Sequence, residues 1–191
     1  MYITKDNIDL YATYVHIYNM MINSKNVANT NYYEEHIVEA IKEQPMVLRL
    51  QNEDKKNIGM MAVLYGMFDV VEIALNDKVA SIQTDNYDKN IGLYLSETNY
   101  YAKQDPKNWY RQDDFVDELL IKALKNPIAT IQQDCDGNNI GMNVAKRKSK
   151  RVLKIALKNP VAAQQKNKKG ETILDIAYKT DLLEKKEKDR W

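Results

Sequence analysis

The sequence predicts an all-α fold built from a helix-turn-helix unit that repeats every 33 residues. Three observations carry that prediction. A tetrapeptide recurs as Asn57-Ile58-Gly59-Met60, Asn90-Ile91-Gly92-Leu93, Asn139-Ile140-Gly141-Met142 and Thr172-Ile173-Leu174-Asp175. Its first residues lie 33, 49 and 33 positions apart, and 49 is one period plus an insertion of 16. Two downstream landmarks, Ile41/Ala74/Ala123/Ala156 and Pro45/Lys78/Pro127/Pro160, keep the same spacings. Self-similarity at a fixed period of this size marks a stacked-repeat architecture.

The elements follow in chain order. Residues 1–49 are read as an N-terminal cap and partial repeat, with a long helix over 7–22 and a recognisable second helix only near 33–42. Residues 50–82 form a full unit: Asn57 is a plausible N-cap, because its side-chain oxygen can accept from a free backbone N–H. A short helix then runs through Met60–Leu64, Gly66 closes it, and a second helix carries Phe68, Val70, Val71, Ile73, Ala74 and Leu75. That apolar set is too broad for a lone amphipathic helix and suits one flanked by neighbours. Residues 83–131 form a unit with the insertion at 99–114, and 132–164 form another. The stretch Asp134-Cys135-Asp136-Gly137-Asn138 has turn chemistry. Asn126-Pro127 and Asn159-Pro160 are expected to end helices, since proline disfavours helical geometry in the residue before it. Residues 165–191 are read as a C-terminal capping repeat, closed by the charged segment 181–191 with the polar outer face a terminal repeat needs.

A 33-residue turn-plus-two-helices unit resembles the ankyrin repeat. Gly66-Met67-Phe68-Asp69-Val70-Val71-Glu72-Ile73-Ala74-Leu75 sits where that family has its Gly-His and Val-Val pairs. Gly170 followed by Thr172-Ile173-Leu174-Asp175-Ile176-Ala177 is similar to its Thr-Pro-Leu-His-x-Ala. The resemblance covers residues 33–180 and implies an ankyrin-like solenoid. The chain departs from the family in two ways. Asn-Ile-Gly-Met replaces Thr-Pro-Leu-His in the inner repeats, so the hydrogen bonds of the missing histidine must be replaced or absent. Lys55 and Asp88 stand where the turn usually carries glycine, and distorted turns are expected there.

Composition narrows the function classes. The 191 residues are 44% apolar and 29% charged, enough for a real core. No run of 18 or more apolar residues reads as a membrane span, and the opening Met-Tyr-Ile-Thr-Lys-Asp does not read as a signal peptide. A cytoplasmic protein is expected, export as an effector being a matter of context. The single Cys135 excludes an intrachain disulfide and a thiolate zinc cluster. His16 and His36 offer little for a metal site. In a stack, units touch only their neighbours, so His36 in the first unit and Cys135 in the fourth are too far apart for a nucleophile–base dyad. Glu34-Glu35 and Asp113-Asp114 are adjacent pairs whose side chains diverge on a helix and are assigned to helix starts. No catalytic constellation, cofactor site or metal site is expected, so the chain is read as a non-enzyme. Met60 and Met142, equivalent to Leu93, are assigned to the core rather than to a methionine-rich surface.

The charge is divided along the chain. Residues 1–137 hold 13 Lys+Arg against 21 Asp+Glu, and residues 138–191 hold 15 against 6. The run Lys146-Arg147-Lys148-Ser149-Lys150-Arg151 reads as an exposed turn between two helices, with a nucleic-acid or polyanion patch as the alternative. The insertion concentrates Tyr100, Tyr101, Trp109, Tyr110 and Arg111, types enriched in binding hot spots. They either bind a partner or fold back to anchor the loop, and the sequence favours neither.

The expected function is a protein–protein interaction module, monomeric and off the membrane, with an unidentified protein partner. Binding of nucleic acid through the basic C-terminal third is the runner-up. The ankyrin resemblance implies binding through turn tips and the exposed face of first helices. Carried position by position, those places are Glu53, Asp54, Lys56, Leu64 and Tyr65, then Asn86, Tyr87, Lys89 and Glu97. They continue as Asp136, Asn138, Lys146 and Arg147, and end at Lys168, Lys169 and Glu171.

Overall fold

A computed structural model describes residues 5–24, 30–98 and 109–183. Every regular element among the described residues is helical, with no extended strand and one isolated antiparallel bridge between Gln51 and Asn57. The chain forms two compact units, residues 1–86 and 87–191, and the division falls inside a polar turn.

The first unit contains α1 (Lys5–Ser24), α2 (Thr30–Glu43), a 3-10 turn (Pro45–Arg49), α3 (Ile58–Tyr65), α4 (Phe68–Asn76) and a second 3-10 turn (Ala80–Ile82). The sequence places a helix over 7–22, and α1 spans it with a turn to spare. Its buried side carries Tyr14, Ile17 and Met21, one helical turn apart. Helix α1 packs on α2 and α3, and α2 on α4. The short α3 is held by burial of nearly its whole circumference, Ile58 to Val63. Asn57 caps its start, and Gly66, left-handed at φ 75°, closes its end.

The second unit contains α5 (Ile91–Glu97), α6 (Trp109–Leu124), α7 (Pro127–Ile131), α8 (Ile140–Arg147), α9 (Lys150–Ala156), α10 (Pro160–Gln164) and α11 (Ile173–Lys179). Packing runs between corresponding elements: α5 on α8 and α8 on α11, α6 on α9, α7 on α10. The tetrapeptide explains this closeness. Ile140 and Ile173 are fully buried, and each lies against the helical glycine of the preceding repeat, Gly92 and Gly141. A Cβ at Gly141 would collide with Ile173 and stand 3.0 Å from the Ala156 Cβ. Met60, Leu93 and Met142 are likewise fully buried, as are the landmark residues Ala74 and Ala156.

Two expectations need correction. Asn126-Pro127 and Asn159-Pro160 do not merely end helices; they start the short helices α7 and α10. Proline fits the first helical position, where its missing N–H would be unpaired anyway. The Asn126 side chain accepts from Ile128 N and Ala129 N at 3.0 and 3.3 Å, and Asn159 from Val161 N and Ala162 N, both at 3.1 Å. In the first unit Asp77 does the same for Val79 N and Ala80 N at 2.9 and 2.8 Å. The repeated unit therefore carries a third helical turn. The second correction concerns the insertion, read as a loop over 99–114. Residues 109–114 are the opening turns of α6, so the helix reaches well upstream of its equivalent α4. Tyr100, Tyr101 and the segment 184–191 lie outside the described residues, as do the side chains of Trp109, Tyr110 and Arg111.

Candidate functional site

The turn tips are built from a few polar side chains that recur at the repeat spacing. In the first unit Asn52 N donates to Lys56 O at 3.0 Å, Lys55 N to Asn52 O at 2.8 Å, and Lys56 N to the Asn52 side chain at 2.8 Å. Asp134 N bonds Asn138 O at 2.9 Å and Gly137 N bonds Asp134 O at 2.8 Å. The Asp134 carboxylate takes the N–H groups of Asp136 and Asn138. Asn167 repeats the pattern with Glu171, Gly170 and Lys169. Short Asx side chains make such turns because they reach their own backbone two to four residues on. Gln51 ties its turn to Lys55 O and to Thr84 O (3.0 Å), and Gln133 ties its own to Gly137 O and Lys166 O (3.1 Å).

Successive tips are joined by one backbone bond that recurs in register: Asn86 N to Asp54 O at 3.1 Å, Cys135 N to Tyr87 O at 3.1 Å, and Lys168 N to Asp136 O at 2.9 Å. The backbone is thus spent on the scaffold. Glu53, Asp54, Asn86, Tyr87, Cys135, Asp136, Lys168 and Lys169 carry exposed side chains at the tips. Lys55 and Asp88 do not distort their turns. They take φ of 59° and 60°, the left-handed geometry that Gly137 and Gly170 hold at 79° and 77°.

Three buried asparagines tie the recurring helix starts to the turns that follow them. Asn57, Asn90 and Asn139 each accept from the backbone N–H three residues on, at 3.0, 2.8 and 3.0 Å. Their amide N–H groups then reach across. Asn57 donates to Ala80 O at 2.8 Å and Gln83 Oε1 at 3.0 Å, and Asn139 to Ala162 O and Gln165 Oε1, both at 2.9 Å. Asn90 does so to Ala129 O at 3.0 Å and Gln132 Oε1 at 2.6 Å. Gln83 passes the chain on to Arg49 O at 2.8 Å, and Gln165 to Ile131 O at 2.7 Å. Sequence reasoning missed these glutamines. Their signal was present, since Gln83, Gln132 and Gln165 keep the spacings 49 and 33.

The remaining sequence-derived positions divide. Leu64 is exposed; Tyr65 is half-buried, and burial followed by the nearby Tyr18 raises its phenol pKa. Lys56 pairs with Asp54 at 2.9 Å, Lys89 with Glu97 at 2.6 Å, and Glu171 with Lys179. Asn138 is not an available contact: it is buried, and its side-chain oxygen accepts from Asn167 at 3.2 Å. In the basic run, Arg147 donates to Leu95 O at 2.7 Å, Arg151 pairs with Glu118, and Lys146 bonds Asn143 at 3.1 Å. Lys148, left-handed at φ 64°, makes the turn from α8 to α9, and Ser149 caps α9 while donating to Asp117 at 2.6 Å. Glu34 serves a helix start other than its own, accepting from Asp69 N at 2.7 Å at the head of α4. Burial raises its pKa, against the pull of that N–H.

No group of three or more His, Cys, Asp and Glu suited to a metal ion occurs among the described residues, and none of their helices is long and apolar enough to cross a membrane. Comparison with known proteins found no family model and no curated protein that matches this chain.

Proposed function

We propose that the chain is a divergent ankyrin-like solenoid that binds another protein through its turn tips. One observation supports this most: the turns at Asn52, Asp134 and Asn167 repeat bond for bond while most exposed side chains at the tips change. Glu53 and Asp54 occupy the positions that Asn86 and Tyr87 fill next, Cys135 and Asp136 later, and Lys168 and Lys169 last. A scaffold that constrains the backbone and varies the outward groups is suited to recognition, as loops on rigid frames generally are. Engagement of Arg147 and Arg151 within their own unit leaves the basic run a weaker platform for a polyanion than its composition suggests.

The test is a comparison of two immobilised proteins in lysate of the source organism, read by mass spectrometry. One is the native chain; the other carries Tyr87→Ala, Asp136→Ala and Lys168→Ala, all at exposed tips. The reading requires a protein held by the native chain and lost from the variant, with both melting alike. Equal retention by both sinks it.

A further inference from the structure

We propose that the cleft between α1 and the 51–54 turn binds a lysine or arginine side chain presented on a peptide. Spacing of three and four residues sets Tyr11, Tyr14 and Tyr18 in a row along α1. Adjacent ring centroids are 6.4 Å apart in both pairs, with planes inclined by 25° and 20°. The turn stands opposite, and the two enclose a cleft of about 490 Å³, the size of a small-ligand site.

Three features of the cleft call for the same kind of occupant. Aromatic faces attract cations through their negative quadrupole, and Tyr11 is 64% exposed. Tyr14 is 5% exposed, and its hydroxyl has no hydrogen-bond partner among the described residues. The buried Asn57, Asn90 and Asn139 are fully bonded, whereas the Tyr14 hydroxyl, like Gln44 Oε1, is not, a departure that needs a cause. Burial, and then the neighbouring Tyr18 and Tyr11, push its pKa up to about 12; it remains a neutral phenol, and because its oxygen is closed to solvent, an ammonium or guanidinium N–H reaches it only as the side chains around it give way. Its proton is left for a backbone carbonyl, which a peptide carries and a free cation lacks. At the rim, Asp54 is paired with Lys56, whereas Glu53 is exposed and meets no cation among the described residues. An anion would be repelled by Glu53, and an apolar group would leave the hydroxyl unpaired. Residues 1–86 hold 12 Asp+Glu against 7 Lys+Arg, a field that draws in a basic peptide. The turn-tip reading shares Glu53 and Asp54 with this cleft, and the test below needs no natural partner, so either can fail alone.

The full chain, ¹⁵N-labelled, is titrated with acetyl-Gly-Lys-Gly-amide and acetyl-Gly-Arg-Gly-amide, with acetyl-Gly-Gln-Gly-amide as the neutral control. Amide shifts are expected at 11–18 and 51–54 with the two cationic peptides and not with the control. Tyr11→Ala and Glu53→Gln, both at exposed positions, should each weaken binding about three-fold. Tyr14→Phe should weaken it about as much while leaving the melting temperature equal or higher, because it deletes an unpaired group. An equal response to the glutamine peptide, shifts confined to other residues, or unchanged binding in Tyr11→Ala and Glu53→Gln would overturn the proposal. So would a Tyr14→Phe variant that melts lower and binds as before.

Discussion

In the first unit the tip turn passes through Lys55; in the second, where Asp88 is also left-handed, the two turns that follow pass through Gly137 and Gly170. All three make the same backbone bonds, at 2.8, 2.8 and 2.9 Å to the preceding Asx carbonyl. The caps of the third helical turn differ in the same way, Asp77 in the first unit and Asn126 and Asn159 in the second. Identical geometry from different residues shows what carries the shape. The Asx side chains and the bridging glutamines set the turn, and the left-handed residue only has to tolerate it.

The largest expected effect tests the part both units share. Asn139 is fully buried, caps α8 and donates to both Ala162 O and Gln165 Oε1. Asn139→Ala removes the cap and leaves the buried Ala162 carbonyl and the half-buried Gln165 Oε1 short of a donor, so a loss of about 3 kcal/mol is expected in urea denaturation. Asn57→Ala should cost the first unit a similar amount. A loss under about 1 kcal/mol in either would mean that the cap, and not the crossing bonds, was the whole contribution.

The second effect belongs to the second unit's close approaches. Gly141→Ala gains about 1 kcal/mol of helix propensity. Its new methyl would collide with the buried Ile173 and crowd the Ala156 Cβ, overpacking that costs about 1–3 kcal/mol. A net loss of about 1–2 kcal/mol is expected, measured by thermal unfolding. A stabilised Gly141→Ala would show that Ile173 has room to turn away, and that the recurring glycine has another purpose.

A third, smaller effect separates the two kinds of cap. Burial alone would raise the Asp77 pKa; its bonds from Arg49, Ala80 N and Val79 N, with the Arg49 charge 3.0 Å away, hold it below the usual carboxylate value. A carboxyl with a depressed folded pKa contributes stability that is full above the unfolded pKa, about 3.9. That contribution is lost as pH falls through the lower folded value. Asp77→Asn makes the first unit's cap like the second's. It should flatten the dependence of stability on pH below about pH 4, at the cost of the Arg49 pair at neutral pH. An unchanged acid limb in urea melts between acid and neutral pH would show that Asp77 does not govern it.

The same contrast shows what the sequence carries. The helices were legible because Asn57, Asn90 and Asn139 mark starts at the repeat spacings and because Ile58, Ile91 and Ile140 follow these caps as buried neighbours. The third helical turn was not, because Asn-Pro reads equally as a stop and as a cap followed by a first helical residue. Turn tolerance at Lys55 was hidden too, since the bonds enforcing it come from Gln51 and Asn52, whose roles show only once the chain has folded back. The tyrosine cleft was the least legible. Tyr11, Tyr14 and Tyr18 have the spacing of an ordinary core face, and the turn opposite lies some forty residues away in sequence.

The smallest expected effect tests the claim about tolerance itself. A non-glycine residue in the left-handed region costs about 1 kcal/mol against the right-handed one, so Lys55→Gly relieves that much strain in the folded chain. Glycine also frees the unfolded chain, which returns roughly 0.5–1 kcal/mol of the gain. The net change should be a stabilisation of about 0.5 kcal/mol or less, with the tip bonds of Asn52 and Gln51 intact. Urea denaturation of native chain and variant, with amide exchange of Lys56 as a local probe, measures both. A gain near 2 kcal/mol would mean that Lys55 is forced against its turn, and that the Asx and glutamine bonds do not suffice to set its shape. Faster exchange at Lys56 without a change in stability would mean that Lys55 holds the tip by its side chain, which the bond pattern shared with Gly137 and Gly170 argues against.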